Sequence, residues 1–185
     1  MKIVLRPLKL KDVNGMLEWI CDEETQQWFQ TPMEKKTEKD IINFIKAANI
    51  EPEDGKSIHL AVVDEKDEYL GTVSLKNYSE RDQNAEFAIS LRSYVRGKGI
   101  GREATKKLLQ LAFDKWKMKR VYLNVLSDNA QAIRLYERCG FVYEGEFLQH
   151  LYIHGKYQNL RWYRMIKEEY DKIKFGGGEK TSTNL

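Results

Sequence analysis

The sequence is poor in the residues that staple or metallate small folds. It carries 2 cysteines, Cys21 and Cys139, in 185 residues, too few for a disulfide framework. Its 3 histidines, His59, His150 and His154, show no metal-ligand spacing, so no metal is expected. No apolar run approaches the roughly 18 residues of a membrane span. Met1-Lys2 runs straight into a strand-like segment, so neither a signal peptide nor membrane insertion is expected. A reducing cytoplasm is the default location. Charge of one sign is scarce as well: the formal net charge is +3, too little by itself to argue for nucleic acid. No internal repeat is visible. Gly-x-x-x-x-Gly-Lys-Ser/Thr is absent, which disfavours a P-loop NTPase.

What is present is an ordinary soluble composition, 42% hydrophobic and 32% charged, in a length that points to one domain. The most informative stretch is Arg96-Gly-Lys-Gly-Ile-Gly101. Alternate glycines end an apolar strand, Phe87–Leu91, and open an amphipathic helix expected to run to about Met118. Glycine lets the backbone turn tightly and expose its N–H groups. A helix N-terminus adds unpaired N–H groups and the positive end of the dipole. Together they make a cradle for phosphate or pyrophosphate. The flanks agree, with Arg92, Arg96, Lys98, Arg102, Lys106 and Lys107 against the single acid Glu103.

The remaining chain divides readily. Ile3–Pro7 reads as a strand, and Asp12 as the cap of a helix over about Val13–Ile20. Cys21–Lys36 lacks clean periodicity and reads as a loop or broken helix. Thr37-Glu-Lys-Asp40 is a capping-box start for a second helix, with Ile41, Ile45 and Ala48 on one face. Ser57–Asp64, Tyr69–Tyr78 and Asn84–Leu91 are strands at hairpin spacing. Val121–Val125 follows the long helix, so a crossover can set it parallel to Asn84–Leu91. Asp128 or Asn129 caps a helix to Cys139, closed by Gly140 and Phe141. Two strands, about Val142–His150 and Tyr157–Met165, and a helix from Lys167 to Ile173 complete the fold. Residues 175–185 read as a disordered Gly- and Ser/Thr-rich tail. The expected fold class is α/β (α+β), one mixed, mostly antiparallel, seven-stranded sheet flanked by helices.

Arg96–Gly101 resembles the Arg/Gln-x-x-Gly-x-Gly/Ala signature of the GNAT superfamily of N-acetyltransferases. Asn129-Ala-Gln-Ala-Ile-Arg-Leu-Tyr-Glu-Arg-Cys-Gly-Phe141 resembles its second motif, Asn-x-x-Ala-x-x-x-Tyr-x-x-x-Gly-Phe. Leu5-Arg-Pro-Leu and Ala85-Glu-Phe87 are similar to its opening and its fourth strand. The resemblance spans about Ile3 to Glu169. It is greatest to the bacterial branch of ribosomal-protein, polyamine and nucleotide-sugar acetyltransferases. It implies a single acetyltransferase domain over residues 1–174 with acetyl-CoA as cofactor, and a homodimer is a habit of the family. It also implies that the parallel strands splay near their C-terminal ends to admit the thioester. The pyrophosphate would lie on the N–H groups of Gly97, Lys98, Gly99, Ile100, Gly101 and Arg102, beside Arg92 and Arg96. The pantetheine would pair with the strand at Ile89 and Leu91 like an added strand, near Asn124, Asn129, Ala132 and Tyr136. A backbone N–H at about Ala88–Leu91 would meet the acetyl oxygen.

Two side chains carry the implied chemistry, each with a plainer alternative. Tyr136 matches the tyrosine that protonates the departing sulfur; the alternative is a core tyrosine. Glu86 matches a position that often supplies the general base, which acetyl transfer needs because alkyl amines titrate near about 10.4. The alternative is a solvated or salt-bridged carboxylate. Cys139 reads as a buried apolar residue, not a nucleophile. The acceptor region spans about Trp19–Lys36 and Gly145–Trp162, with Trp28, Phe29, Glu34, His150, Tyr152 and Tyr157 as candidate contacts. The expected acceptor is a small primary amine, with a lean to an amino sugar or nucleotide-linked amino sugar. A polyamine or a protein N-terminus is the alternative, and a non-catalytic acyl-CoA sensor is the alternative of another class.

Overall fold

In the computed structural model the described residues are 2–30, 33, 35–153 and 155–175. Strand β1 (Val4–Pro7) leads into α1 (Val13–Cys21), a one-turn α2 (Glu23–Gln26) and α3 (Glu38–Ala47). Strands β2 (Ile58–Val63), β3 (Tyr69–Ser79) and β4 (Asn84–Leu91) follow as a meander. Then come α4 (Ile100–Gln110), β5 (Arg120–Leu126), α5 (Ala130–Arg138), the long hairpin β6 (Val142–Ile153) and β7 (Lys156–Ile166), and α6 (Lys167–Phe175). The sheet order is β1-β2-β3-β4-β5-β7-β6. Every pairing is antiparallel except β4 with β5.

That parallel pair decides the function. β4 and β5 are in register only at Asn84 with Arg120, Ala85 with Val121 and Glu86 with Tyr122. β4 continues to Leu91 along β3, and β5 to Leu126 along β7. Beyond Glu86 the two strands therefore separate, each still held on its outer side. The splay expected from the family resemblance is present, and it opens toward the glycine turn.

Two cores hold the halves in place. On one face Val73, Leu75, Ala85, Phe87, Val121 and Leu123 pack against Ala104, Leu108 and Phe113. On the other, Ala61 and Val63 lie under Val13, Met16, Trp19 and Ile20 of α1 and Ile41 and Ile45 of α3. Each fully buried large apolar side chain contributes roughly 1.5–3 kcal/mol, so these contacts fix the sheet from both sides.

The local signals mostly act as expected. Thr37 and Asp40 form the reciprocal capping box of α3, with Asp40 N–H donating to Thr37 Oγ1 at 3.3 Å and Thr37 N–H to Asp40 Oδ2 at 2.8 Å. Asn129 caps α5 by accepting from Ala132 N–H at 3.0 Å. Gly140 closes α5 at φ +91°. Its N–H reaches Glu137 O, and that of Phe141 reaches Tyr136 O, both at 3.0 Å, the Schellman pattern.

Other expectations need correction. Asp12 makes no cap bond to α1. It is 1% exposed and accepts instead from both Nη atoms of Arg6 at 2.8 Å and from Lys9 N–H at 2.8 Å. A buried carboxylate takes the charged partner that cancels its desolvation before it takes a cap. The long helix does not reach Met118: α-helical bonding stops at Gln110, a π turn covers Leu111–Lys115, and Lys117 turns the chain at φ +56°. The last helix extends to Phe175, which the sequence assigned to the tail; the rest of that tail lies outside the described residues.

Candidate active site

The glycine turn builds the cradle. Gly97 and Gly99 sit at φ +73° and +79°, with Gly99 as the N-cap of α4. This left-handed conformation is open to glycine at little cost. Nothing lies within 4 Å of where their Cβ atoms would be, so the turn faces open space. From Gly97 to Arg102 no N–H has a backbone or side-chain acceptor among the described residues; the first paired amide of α4 is Glu103, to Gly99 O at 3.1 Å. Six successive N–H groups at a helix N-terminus fit an anion. Lys98 and Arg102 stand exposed beside them, and Ile100 is buried and roots the turn in the core.

The two flanking arginines do not turn their guanidinium groups to this cradle. Arg92 reaches Glu18, Glu68, Tyr69 O and Tyr94 Oη. Arg96 reaches Asp22 Oδ2 and Leu91 O, each at 3.3 Å, and Thr25 Oγ1. The arginines do not take the place beside the phosphates expected of them, because Glu18 of α1, Glu68 and Asp22 draw their guanidinium groups away. Thr25, then Arg96, holds the Asp22 carboxyl below the usual carboxylate range.

The splay has two walls and two faces. Strand alternation sends Phe87, Ile89 and Leu91 of β4 toward α4 and α5, and Glu86, Ala88 and Ser90 toward α1 and α3. On the first face Tyr136 is 8% exposed and packs edge-on against Phe87 and Phe141, centroids 6.0 Å apart in both pairs. Its hydroxyl has no hydrogen-bond partner among the described residues. Burial, and after it the neighbouring Cys139, push the phenol well above its ordinary pKa of 10. Ala132, half-buried, and Asn129 lie on the same helix.

On the opposite face Glu86 heads a polar row. Its Oε1 meets Lys76 Nζ at 2.5 Å and accepts from Asn124 Nδ2 at 3.2 Å. Asn124 Oδ1 accepts from Gln30 Nε2 at 2.5 Å. The salt-bridged alternative for Glu86 is therefore real, but Oε2 accepts no hydrogen bond among the described residues. Lys76 and Gln30 were not singled out for this row from the sequence. Lys76 faces Glu86 in the β3–β4 register, a pairing that strand alternation alone would have located once the hairpin was aligned. Gln30 carried no signal, since its partner is 94 positions away.

The expected acceptor contacts divide. Trp28 packs near Leu126, Ile153 and Leu160 at the mouth of the splay, together with Trp162. Phe29 turns away and lies against Trp19 at 5.8 Å in the α1–α3 core. Tyr152 and Tyr157 meet each other at 5.1 Å, and both are exposed. His150 packs on Phe147 at 5.1 Å. Glu34 and His154 lie outside the described residues. Trp162, beside Asn124 in the β5–β7 register, has a buried indole N–H without a partner.

A sheet opened at a parallel pair, with free N–H groups at the open end and a phenol and a carboxylate on opposite faces, defines a class. It suits enzymes that thread a phosphate-bearing acyl donor through the gap and present an acceptor from one side. Comparison with known proteins agrees. The family model described as acetyltransferase (GNAT) domain matches residues 2–142. The chain is similar to a spermidine N(1)-acetyltransferase of Vibrio cholerae, 29% identical over 143 residues that cover 77% of this chain and 80% of that one. It is similar to a spermidine N(1)-acetyltransferase of Escherichia coli K12, 27% identical over 158 residues, 85% of this chain and 82% of that one. The crystal structure of a Vibrio cholerae spermidine N-acetyltransferase with CoA and spermine superposes with a TM-score of 0.81 at 23% identity, covering 91% of this chain and 97% of that one. The chain belongs to the GNAT acetyltransferase family. It is an acetyl-CoA-dependent N-acetyltransferase.

Proposed function

We propose that the acceptor is a polyamine such as spermidine, acetylated on a primary amine by residues 1–174 acting as one catalytic domain. The observation that carries this reading is Glu86, a carboxylate on the acceptor face of the splay with one oxygen unengaged. Acids of α2 extend the same character toward the mouth, where Glu23 and Glu24 are exposed. An alkyl polycation is recognised by spaced carboxylates and by apolar surface for its methylene stretches, which Trp28 supplies. The similarity to spermidine acetyltransferases over most of the chain supports the same choice.

This reading sets aside the amino-sugar lean in favour of its alternative. A nucleotide-linked sugar needs aromatic faces gathered around one planar base. Here Phe29 is drawn into the α1–α3 core, and Tyr152 and Tyr157 pack on one another. Of the cations the sequence offers for a phosphate there, Lys35, Lys36, Lys156 and Arg161, Arg161 lies 3.5 Å from Glu146.

Bound acetyl-CoA supplies the acetyl thioester. The N–H groups of Gly97 to Arg102 bind its phosphates, and the unpaired edge of β4 beyond Glu86 orients its arm. Alternate N–H groups of Ala88–Leu91 point to the side that β5 vacates, where they serve as oxyanion donors. Glu86 Oε2 accepts a proton from the attacking ammonium, which must become neutral before it reacts. Tyr136 holds its proton at Oη throughout the working pH range and donates a hydrogen bond to the departing sulfur, which leaves as thiolate when the C–S bond breaks and takes up the second proton that the attacking nitrogen releases. The raised pKa of Tyr136 makes it a constant donor rather than a ready acid.

The test is thiol release from acetyl-CoA with spermidine, spermine, amino sugars, nucleotide amino sugars and short peptides. Spermidine or spermine is expected to exceed every other acceptor at least tenfold in kcat/KM. A peptide or sugar that outpaces them overturns the assignment. CoA binding without turnover of any amine points to the sensor.

A further inference from the structure

The segment 22–30 crosses the mouth of the splay, and it is fastened at both ends. At the β4 end Arg96 Nη2 binds Leu91 O at 3.3 Å, Asp22 Oδ2 at 3.3 Å and Thr25 Oγ1, while Arg96 Nη1 lies 3.6 Å from Glu24 Oε2. Thr25 is 8% exposed and its hydroxyl also donates to Asp22 Oδ2. From Thr25 the backbone carries the constraint forward, with Trp28 N–H to Thr25 O at 3.0 Å and Phe29 N–H to Gln26 O at 3.1 Å. At the β5 end Trp28 packs near Leu126, and Gln30 reaches Asn124, which holds Glu86.

The geometry points to Arg96 as a positioning residue for the acceptor: its guanidinium ties α2 to the last carbonyl of β4, and so places Trp28 and Gln30 over the splay. The side chain stands at the border of the cradle yet serves the other substrate. A planar fork with several donors can satisfy a backbone carbonyl, a hydroxyl and a carboxylate together, which a lysine ammonium on a flexible stem does less well. The link spans five positions, from Leu91, where β4 ends, to Arg96, where the glycine turn starts. Donor cradle and acceptor wall thus share one residue. This inference rests on the polyamine reading only for the choice of acceptor in one arm of its test.

The test uses the full chain with Arg96→Ala, Arg96→Lys and Thr25→Val. The first readout is hydrogen exchange with CoA bound. Arg96→Ala is expected to speed exchange at the amides of residues 25–29 about tenfold, the loss of a charge-assisted hydrogen bond, and to leave residues 97–103 unchanged. The dissociation constant of CoA should move less than about threefold. With spermidine as acceptor, KM for spermidine should rise about tenfold while KM for acetyl-CoA stays within about threefold, and Arg96→Lys should recover part of the loss. Thr25→Val keeps the guanidinium and its charge, so it should reproduce the exchange and acceptor effects with CoA binding intact. It also decides the matter should Arg96→Ala fail to fold or affect both ligands. Weakened CoA binding with unchanged exchange at 25–29 would show a phosphate ligand and overturn the inference. So would an inert Thr25→Val. If the unmutated enzyme ignores spermidine, the polyamine reading falls while the exchange arm still decides the role of Arg96.

Discussion

Tyr136→Phe removes one oxygen and nothing else that the fold uses. The ring is held edge-on by Phe87 and Phe141, and these contacts survive the change. The hydroxyl has no partner among the described residues, so no protein hydrogen bond is lost. Stability should therefore shift by no more than about 0.5 kcal/mol. The catalytic cost is of another size. Loss of one preorganised donor aimed at charge that develops in the transition state lowers kcat about 10²–10³-fold, roughly 2.7–4 kcal/mol. CoA affinity should change less than about threefold, because the donor acts on the departing sulfur and not on the resting thioester. Burial raises the phenol's pKa, so Tyr136 is protonated throughout and imposes no alkaline limb on kcat below its ordinary value. The assay is single-turnover thiol release from pre-bound acetyl-CoA, alongside a CoA titration and thermal denaturation. Turnover within about threefold of the unmutated enzyme refutes the assigned role. A large loss of thermal stability would show instead that the hydroxyl supports the fold.

Two further outcomes follow from the geometry. His59 is half-buried, with Nδ1 2.7 Å from Ser74 Oγ and its ring 4.6 Å from Phe44; partial burial, then the charge of Lys76, lowers its pKa from 6.5 to about 4. The unfolded chain takes up the proton first, so this contribution is complete above about pH 6.5 and is lost as pH falls toward 4, about 3 kcal/mol at most. Urea unfolding between pH 7 and 4.5 should show a loss that His59→Asn removes, and an unchanged slope in that variant would refute it. Gly99→Ala meets no atom within 4 Å, so its cost is the left-handed backbone alone, about 1 kcal/mol. The melting temperature should fall by roughly 2–4 °C and CoA binding should weaken; if neither changes, the cap geometry is not what shapes the cradle.

The features legible in the sequence are those whose causes are local. The glycine spacing announced the turn at Gly97 and Gly99, the Thr37–Asp40 box announced α3, and Gly140 announced the end of α5. The residues Asn84–Leu91 were delimited at both ends as the structure has them. What stayed hidden depends on partners far away in the chain. Arg92 and Arg96 belong to a basic cluster, and only the folding of α1 and α2 over the sheet shows that Glu18, 74 positions from Arg92, and Asp22, 74 from Arg96, claim them. Asp12 looked like a cap because capping is a short-range rule; Arg6 on β1 won because a buried carboxylate needs a cation. Trp28 and Phe29 are neighbours in sequence and part company in space, since one side chain follows the hairpin core and the other α1. A pattern of residue types cannot separate two such adjacent aromatics.

The separation of β4 and β5 also bears on what the protein must avoid. A strand edge with unpaired N–H and C=O groups is a template for unwanted association with other chains. This sheet carries two such edges in its interior, along β4 after Glu86 and along β5 after Tyr122. They are safe because they face one another across a wedge shut at its apex by three residue pairs. A polypeptide strand entering there needs about 4.8 Å on each side along its whole length, which a narrowing gap does not give. A slender, amide-bearing thread without side chains meets no such limit. The same opening thus admits the donor and refuses protein strands, so exposed edges persist in a stable sheet without the bulges or charges that usually guard them.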